Sequence, residues 1–400
     1  MLLYKALFFF SLFILFYSYI GYGVLVWLIL RFKSIVHSKK NIVANAVEYP
    51  GVTIIIAAYN EEDFIKEKIE NTLLIDYPID KLSILVVTDG STDNTPAIAK
   101  QYNRVQVLHS PKRDGKIAAI HRAMDFVKMP IVVFSDANTF LNPEAVKKIV
   151  AHYQDKKTGG VAGEKKIKVT ETDQSPGIGE GLYWKYESFL KKMDASLYTV
   201  VGAAGELFSI RTELYEFPGD DVLLDDFIIS LRICKKGYRI AYEPGAFAVE
   251  GPSSSISEEK KRKIRISAGG FQSIARLKEL FNIFKYPLLS FQYISHRVLR
   301  WALCPFLLPI VFILNVYLVL TNENEQIYLY LLIGQFLFYG CAFAGWLLSI
   351  NNKKVKLLYV PYYFVFLNIC LYLGFFRYIK GRQTVLWDKA KRQPSNAPIS

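Results

Sequence analysis

The chain has 400 residues, is 52% hydrophobic and carries a formal net charge of +13 at pH 7. The apolar fraction is high for a purely soluble protein, and the length is ample for one sizeable domain with further segments attached. No nucleic-acid-binding motif accompanies the positive charge, so we expect no nucleic-acid partner. The four cysteines show neither metal-ligand nor disulfide spacing, and a P-loop motif is absent, which argues against a P-loop NTPase.

The first predicted element is a membrane anchor over residues 1–33. Its core, Ala6–Leu30, is an uncharged apolar run that is long enough to cross a bilayer. A cleaved signal peptide would have a shorter apolar region and a small-residue cleavage site. The run instead ends in basic residues, which favours a retained anchor.

The next predicted unit is a catalytic α/β domain over residues 50–255. Three short, β-branched-rich runs, Val52–Ala58, Ile84–Val87 and Ile131–Phe134, are each followed by a helix-like stretch. This pattern is typical of parallel strands in an α/β sheet. Each run leads into a polar or acidic box, and ligands of such sheets bind at the carboxyl ends of the strands. The order of the boxes therefore predicts a binding site, and the carboxylates in it make the chain an enzyme candidate.

Residues 256–298 are predicted to form amphipathic interfacial helices. Apolar residues recur at helical spacing from Ile264 to Ala275, beside basic residues such as Lys260 and Arg265. A basic amphipathic helix next to a membrane span is typical of a helix that lies in the interface and contacts membrane lipids. A surface helix that packs on the soluble domain is the alternative.

Residues 299–378 are predicted to hold C-terminal transmembrane segments, followed by a basic tail at residues 379–400. The loop Asn322–Gln326 is acidic, whereas Asn351–Lys356 carries three lysines. The positive-inside rule therefore places the catalytic domain in the cytoplasm. If the last segment also crosses, the basic tail lies outside, against the rule. Pro361 and Asn368 lie in that segment, so a re-entrant or kinked path stays open.

Together, in this order, the boxes resemble the membrane-bound family 2 glycosyltransferases, relatives of the cellulose, chitin, hyaluronan and poly-N-acetylglucosamine synthases. The resemblance runs from about Val52 to Arg265. It implies a GT-A fold, which is a Rossmann-like nucleotide-diphospho-sugar transferase domain, joined here to transmembrane helices. It also implies transfer of a sugar from a UDP-sugar with inversion at the anomeric carbon.

The resemblance assigns nucleotide-sugar contacts to several boxes. Asp89 matches the aspartate that accepts a hydrogen bond from uracil, and Lys116 is a candidate phosphate ligand. The full set implied for the donor is Ala58, Tyr59, Glu61, Asp89, Lys116, Ser135, Asp136 and Arg265. Ordinary turns and helix caps explain the same residue types, so the donor function depends on the boxes occurring together.

The box Ser135-Asp136-Ala137-Asn138 matches the family's metal-binding box. A divalent ion held by oxygen ligands neutralises the charge of a departing diphosphate. The resemblance therefore implies Mg²⁺ or Mn²⁺ held by Asp136 and Asn138, although an amide replaces the family's second aspartate. An acidic helix-entry loop without an ion is the alternative.

Catalysis is assigned to the pair Asp225 and Asp226. Inverting transfer needs a carboxylate that removes the proton of the acceptor hydroxyl, and the second acid, Asp226, matches the family's general base. A solvated acidic loop is the alternative for this stretch. The residues implied to line the acceptor site are Gly202, Ala203, Gly205 and Glu206.

The processive synthases also carry Gln-x-x-Arg-Trp before the C-terminal spans. The chain matches the arginine at Arg265, but has Arg262 in place of the glutamine and Ile266 in place of the tryptophan. The leading interpretation is transfer to a polysaccharide or glycan acceptor at the cytoplasmic face of a bacterial-type plasma membrane, in exopolysaccharide or cell-envelope biosynthesis. Non-processive transfer to a lipid-linked acceptor is the alternative, and a non-catalytic scaffold is a remote one. The sequence identifies no export partner.

Overall fold

The structure is a computed structural model of the chain that describes residues 1–36, 49–168, 175–321, 326–350, 355–381 and 384–386. The helices in these ranges are α1 Leu2–Phe16, α2 Tyr22–Val36, α3 Glu62–Leu73, α4 Thr95–Ala99, α5 Lys116–Met124, α6 Ala145–Ala151, α7 Ser175–Leu197, α8 Asp225–Lys235, α9 Ile256–Arg276, α10 Pro287–Gln292, α11 Cys304–Thr321, α12 Gln326–Ile350 and α13 Lys356–Ile379. The strands are β1 Val52–Ala58, β2 Leu82–Asp89, β3 Gln106–Ser110, β4 Ile131–Asp136, β5 Phe140–Leu141, β6 Thr158–Ile167, β7 Leu207–Arg211 and β8 Arg239–Glu250. Short π-helical segments, Tyr17–Gly21 and Tyr293–Leu303, join α1 to α2 and α10 to α11.

A mixed sheet forms the centre of the catalytic domain. In the described part of the chain it has eight strands in the order β3-β2-β1-β4-β7-β6-β8-β5. Strands β3, β2, β1 and β4 are parallel, as predicted, whereas β7 is antiparallel to both β4 and β6. The carboxyl ends of β1, β2 and β4 therefore meet at one edge of the sheet. This confirms the predicted α/β fold class.

Both faces of the sheet are buried, which explains the continuous apolar character of the first strand. Ile54 and Ile56 pack with Ile65 and Ile69 of α3 on one face. Ile55 packs on the other face in a cluster that α5 and α8 complete. Burial of each such aliphatic side chain stabilises the fold by about 1.5–3 kcal/mol. The sheet is thereby a rigid support for the residues that follow each strand.

Strands β2 and β4 extend further than the apolar runs predicted. β2 ends at Asp89 and β4 ends at Asp136, so both aspartates belong to the strands that present them. Sequence hydropathy ends a strand at its last apolar residue, but the backbone ladder continues. Asp89 pairs with Ser110 of β3, and Asp136 pairs with Ala57 of β1. This pairing fixes the backbone of both acids.

The long apolar helices of the chain fit association with a membrane. Within the described residues, four helical segments are long and apolar enough to cross a bilayer: Leu2–Ile35, Pro287–Thr321, Gln326–Ile350 and Leu357–Ile379. They cover the four hydrophobic stretches that the sequence predicts. The second segment begins at Pro287, well before the apolar run itself, because a buried polar helix continues into it without a break.

Helices α1 and α11 run antiparallel. At one end the ring centroids of Tyr4 and Tyr317 lie 4.9 Å apart. At the other end the hydroxyls of Tyr17 and Ser295 are 2.8 Å apart, and the hydroxyl of Tyr22 donates to Asp194 of α7. The catalytic domain is therefore attached at the end of the pair that contains the start of α11.

Helix α13 runs parallel to α9. The hydroxyl of Tyr363 donates to Glu259 at the start of α9, and the rings of Phe375 and Phe271 lie 5.0 Å apart towards its end. Between these contacts, Gly374 lies directly against Ser267. Helix α9 therefore contacts a hydrophobic segment along its length, while Arg276 at its end pairs with Asp221 of the α/β domain.

Candidate active site

The polar residues that follow β1 and β4 open on a cavity of about 400 Å³. Its wall includes Ala57, Tyr59, Glu61, Lys116, Asp136, Ala137, Asn138, Glu206, Glu250, Glu258, Lys261, Arg262, Arg265, Arg377, Thr384 and Leu386. We call this the donor cavity. A second cavity of about 210 Å³, which we call the acceptor cavity, shares Lys116, Asp136, Glu206, Arg262 and Arg265 with it and also reaches Asp225 and Asp226. The two cavities together place Lys116, Asp136 and Arg265 near Asp226.

Asp89 holds the loop that leads into α5. Its carboxylate accepts hydrogen bonds from the backbone N–H groups of Asp114, at 3.1 Å, and Gly115, at 2.7 Å. Arg122 lies 4.0 Å from it, and the side chain is 1% exposed. Asp89 therefore positions the Gly115 turn, whose φ of +104° favours glycine. The predicted contact of Asp89 with uracil stays a prediction, because this carboxylate does not line the donor cavity.

Lys116, the first residue of α5, reaches across the site to β4. Its ammonium donates to Asp136 Oδ1 at 2.5 Å. Burial lowers the pKa of Lys116, but the carboxylates of Asp136 and Asp225 outweigh it and raise that pKa. The lysine therefore stays charged at neutral pH, close to where a diphosphate would lie.

Lys68 supports Asp136 from behind the sheet. It is fully buried on α3, and its ammonium donates to Ser135 Oγ and to the carbonyl of Thr139, both at 2.7 Å. Burial lowers its pKa to about 7. Ser135 thus helps to hold the end of β4 and does not itself line the donor cavity. The sequence contains a signal for the burial of Lys68, because this lysine lies between Ile65 and Ile69 on the apolar face of α3.

Asp225 and Asp226 begin α8, so both carboxylates lie at a helix N-terminus, where negative charge is stabilised. Burial and the neighbouring Asp225 raise the pKa of Asp226 to about 7. A Cβ placed on Gly205 would lie 3.4 Å from both Asp226 Oδ2 and Lys116 Nζ, so the backbone of Gly205 lies close to both groups. The arrangement provides a carboxylate that can accept a proton near neutral pH, next to a fixed cation.

The box after β1 forms part of the donor cavity wall. The guanidinium of Arg113 stacks over the ring of Tyr59 at 3.9 Å, and Asn60 takes a left-handed φ of 53°. Glu61 lies in the same wall, whereas Ala58 is buried behind it in the sheet. A stacked aromatic and guanidinium pair can hold a planar nucleobase.

The predicted acceptor residues divide into two groups. Ala203, Gly205 and Glu206 line the acceptor cavity. Gly202 does not, because it packs against the ring of Phe227 with a φ of +85°. Glu206 forms an ion pair with Lys165, which also pairs with Glu250 at 2.5 Å. Although burial raises the pKa of Glu206, Lys165 more than offsets this and holds it well below its usual range.

Residues that the sequence analysis did not single out complete the acceptor cavity. Trp184 and Lys191 come from α7, and Trp301 comes from the π-helical segment before α11. The ring of Trp301 lies 5.3 Å from that of Phe227, the residue after Asp226. No local motif links these residues to Asp226, because the fold brings them together from distant parts of the chain.

Buried ion pairs attach α7 to the membrane segment. Arg297 Nη1 donates to Glu187 Oε2 at 2.8 Å, and Arg300 pairs with the same carboxylate. Burial raises the pKa of Glu187, but the two guanidiniums more than offset this and hold it well below its usual range. Both arginines therefore tie the start of this hydrophobic segment to α7.

Known proteins share this domain and this fold. The family model for glycosyl transferase family 2 matches residues 53–216. A poly-β-1,6-N-acetyl-D-glucosamine synthase of Staphylococcus aureus (strain MSSA476) is 25% identical over 252 residues, which are 60% of this chain and 59% of that protein. The synthase of Staphylococcus epidermidis is 22% identical over 236 residues, or 56% of each chain. The chain thus matches less than two thirds of the length of these relatives.

A solved structure extends the likeness over nearly the whole chain. The mannosyltransferase PcManGT from Pyrobaculum calidifontis, in complex with GDP-Man and Mn²⁺, superimposes with a TM-score of 0.68 at 21% identity. The match covers 94% of this chain and 100% of that one, which confirms the GT-A fold. With the family-model match and the fold in agreement, residues 53–216 form a glycosyl transferase family 2 domain.

Proposed function

We propose that the chain transfers a sugar from a nucleotide-diphosphate donor, a UDP-sugar, to a glycan acceptor with inversion at the anomeric carbon. The observation that carries this proposal is the shared wall of the two cavities. Lys116 and Asp136 line both cavities, and Asp226 lines the acceptor cavity. A donor diphosphate beside Lys116 would therefore direct its anomeric carbon towards Asp226.

The donor is held by a cationic wall. Lys116 replaces its contact with Asp136 by one with the diphosphate, and Arg265 approaches from α9. Tyr59, stacked on Arg113, lies against the base or ribose. Charge-assisted hydrogen bonds to phosphate are stronger than neutral ones, so these contacts orient the leaving group.

Asp226 removes the proton of the acceptor hydroxyl as that oxygen attacks the anomeric carbon. The new bond forms on the face opposite the departing nucleoside diphosphate, which accounts for inversion. A base with a pKa of about 7 is well matched to this task at neutral pH. Asp225 contributes by raising that pKa.

The residues of the metal box fit a divalent ion. Asp136 and Asn138 both line the donor cavity and offer a carboxylate and an amide oxygen, to which diphosphate oxygens and water would add. Mg²⁺ or Mn²⁺ bound there would neutralise charge on the leaving diphosphate. Lys116 occupies one oxygen of Asp136, so ion and donor binding would be coupled through this lysine.

The relatives support the substrate classes. The staphylococcal proteins are named poly-β-1,6-N-acetyl-D-glucosamine synthases, which favours a polysaccharide acceptor. The mannosyltransferase was solved with GDP-Man, so a GDP-sugar is the competing donor. A lipid-linked acceptor and a single transfer are the alternative for the product.

We also propose that α1, α11 and α12 cross the membrane, while α13 lies along its cytoplasmic face. The parallel contacts of α13 with α9 support this arrangement. Thr384 and Leu386 support it as well, because they line the donor cavity and Val385 packs against Gly115. The basic tail then lies on the catalytic side, in accord with the positive-inside rule. The catalytic domain would lie at the cytoplasmic face of a bacterial-type plasma membrane.

The test is a transfer assay with the full-length protein in lipid nanodiscs. UDP- and GDP-sugars are supplied in parallel, nucleotide release is measured, and the product is sized and its anomeric configuration determined by NMR. Release from a UDP-sugar with an inverted product is the expected result. Release from a GDP-sugar alone would overturn the donor assignment, and a retained configuration would overturn the mechanism.

A further inference from the structure

Lys191 is a buried cation in the wall of the acceptor cavity. It lies on α7, is 2% exposed, and lines the same cavity as Asp226. Among the described residues its ammonium has no hydrogen bond or ion pair, and its ring contact is with Trp184, 5.4 Å away. Burial lowers the pKa of this ammonium.

The carboxylates near Lys191 are engaged by other partners. Glu187 binds Arg297 and Arg300. Glu206 binds Lys165, and Glu164 accepts hydrogen bonds from the hydroxyls of Ser188 and Tyr242. None of these acids therefore gives Lys191 a direct counter-ion, although their fields favour its charge.

A buried ammonium without a direct partner is costly, and a cation–π contact offsets only part of that cost. Structural lysines in this chain are paired differently: Lys68 and Lys165 are equally buried, and each donates to protein oxygens at short distance. Lys191 differs because its nearest open space is a ligand cavity. Trp184, in the same wall, also has a buried Nε1–H without a partner among the described residues.

We propose that Lys191 binds an oxyanion of the acceptor, a carboxylate or a phosphate, while Trp184 and Trp301 pack against its sugar ring. The inference rests on the proposed function and deepens it, because it names an anionic glycan or glycolipid phosphate as the acceptor class. Trp301 supplies an aromatic ring to the same wall as Ile266, the residue that stands in place of the tryptophan of the processive synthases. Arg262, Arg265 and Arg297 add further cations to the wall that holds Asp225 and Asp226.

The test compares three synthetic acceptors with the same decyl chain: decyl β-glucoside, decyl β-glucuronide and decyl phosphoryl-glucose. The kcat/KM of transfer is measured for the wild type, for Lys191→Met, and for the exposed neighbour variant Lys192→Met as a matched control. We expect the wild type to prefer one charged acceptor by about tenfold or more, which is the range of a charge-assisted hydrogen bond. A preference for the glucuronide would indicate an anionic glycan as the acceptor, and a preference for the phosphoryl-glucose would indicate a glycolipid phosphate.

In Lys191→Met the preference should fall to about twofold or less, whereas Lys192→Met should keep it and Lys191→Arg should recover part of it. Equal use of all three acceptors by the wild type would overturn the inference, as would an unchanged preference in Lys191→Met. Nucleotide release to water, without acceptor, separates this inference from the proposed function. If no donor is turned over at all, the proposed function fails. If donor hydrolysis persists but the preference is absent, only the role of Lys191 fails.

Discussion

Lys116 Nζ and Asp136 Oδ1 lie 2.5 Å apart and join the start of α5 to the end of β4 across the floor of the donor cavity. The cation predicted to bind phosphate thus neutralises the carboxylate predicted to bind metal. On ligand binding, a diphosphate would replace Asp136 as the partner of Lys116, and a divalent ion would replace Lys116 as the partner of Asp136. The pair therefore keeps two ligand-binding groups in position before the ligands bind.

Replacing Lys116 by methionine should raise the KM for the donor and lower kcat, together by about 10- to 100-fold in kcat/KM, because a charge-assisted contact with the leaving group is lost. Steady-state nucleotide release measures this. The control is Lys112→Met, since Lys112 is exposed and pairs with Asp114 at 2.7 Å outside the cavity. Equal activity of the two variants would contradict the assignment of Lys116.

Removal of divalent ions with EDTA should abolish transfer, and Mn²⁺ or Mg²⁺ should restore it. Asn138→Asp should lower the metal concentration needed for half-maximal activity, because a second carboxylate adds charge to the same box. Asp136→Asn should raise it. Activity that persists in EDTA, or a midpoint that neither substitution moves, would exclude a metal at this box.

The acid limb of kcat/KM should titrate near pH 7, because Asp226 must be deprotonated to accept the acceptor proton and its pKa is raised to about 7. Activity is therefore expected to fall as the pH drops below that value. Asp225→Asn removes a neighbouring negative charge, so it should move the limb to lower pH. A limb that stays in place, or moves upward, would show that another group controls the titration.

The C-terminal tail should be accessible from the side of the catalytic domain. An impermeant maleimide applied to sealed, oriented vesicles should label Ser395→Cys and the catalytic-domain variant Asp80→Cys from the same side. Asn324→Cys, between α11 and α12, should react only from the other side. Native cysteines supply the background and are mostly buried. Labelling of Ser395→Cys together with Asn324→Cys would instead require α13 to cross.

The sheet was predictable where local pattern determines structure. β1 was predicted with its observed bounds, because a strand buried on both faces is apolar throughout. β2 and β4 were found, but each was placed too short, since Asp89 and Asp136 are polar residues inside the ladder. Hydropathy cannot register a polar residue whose backbone continues the strand ladder.

The acceptor side was less predictable, since it depends on contacts between distant segments. Trp301 and Arg297 lie at the start of an apolar span and have no motif, so only the packing of that span on α7 brings them to Asp226. In the same way, Lys191 is one lysine among many in the sequence. Its burial in the same cavity wall as Asp226 is a property of the fold.

The most direct test of the account compares Asp226→Asn with Asp220→Asn, an exposed acid of the preceding loop, in full-length protein with the preferred nucleotide sugar and an acceptor. Asp226→Asn should lower kcat by at least about 100-fold, because the general base is lost, while nucleotide affinity by calorimetry stays nearly unchanged. Asp220→Asn should remain close to the wild type. Wild-type turnover by Asp226→Asn would contradict the assignment of the catalytic base, and with it the mechanism.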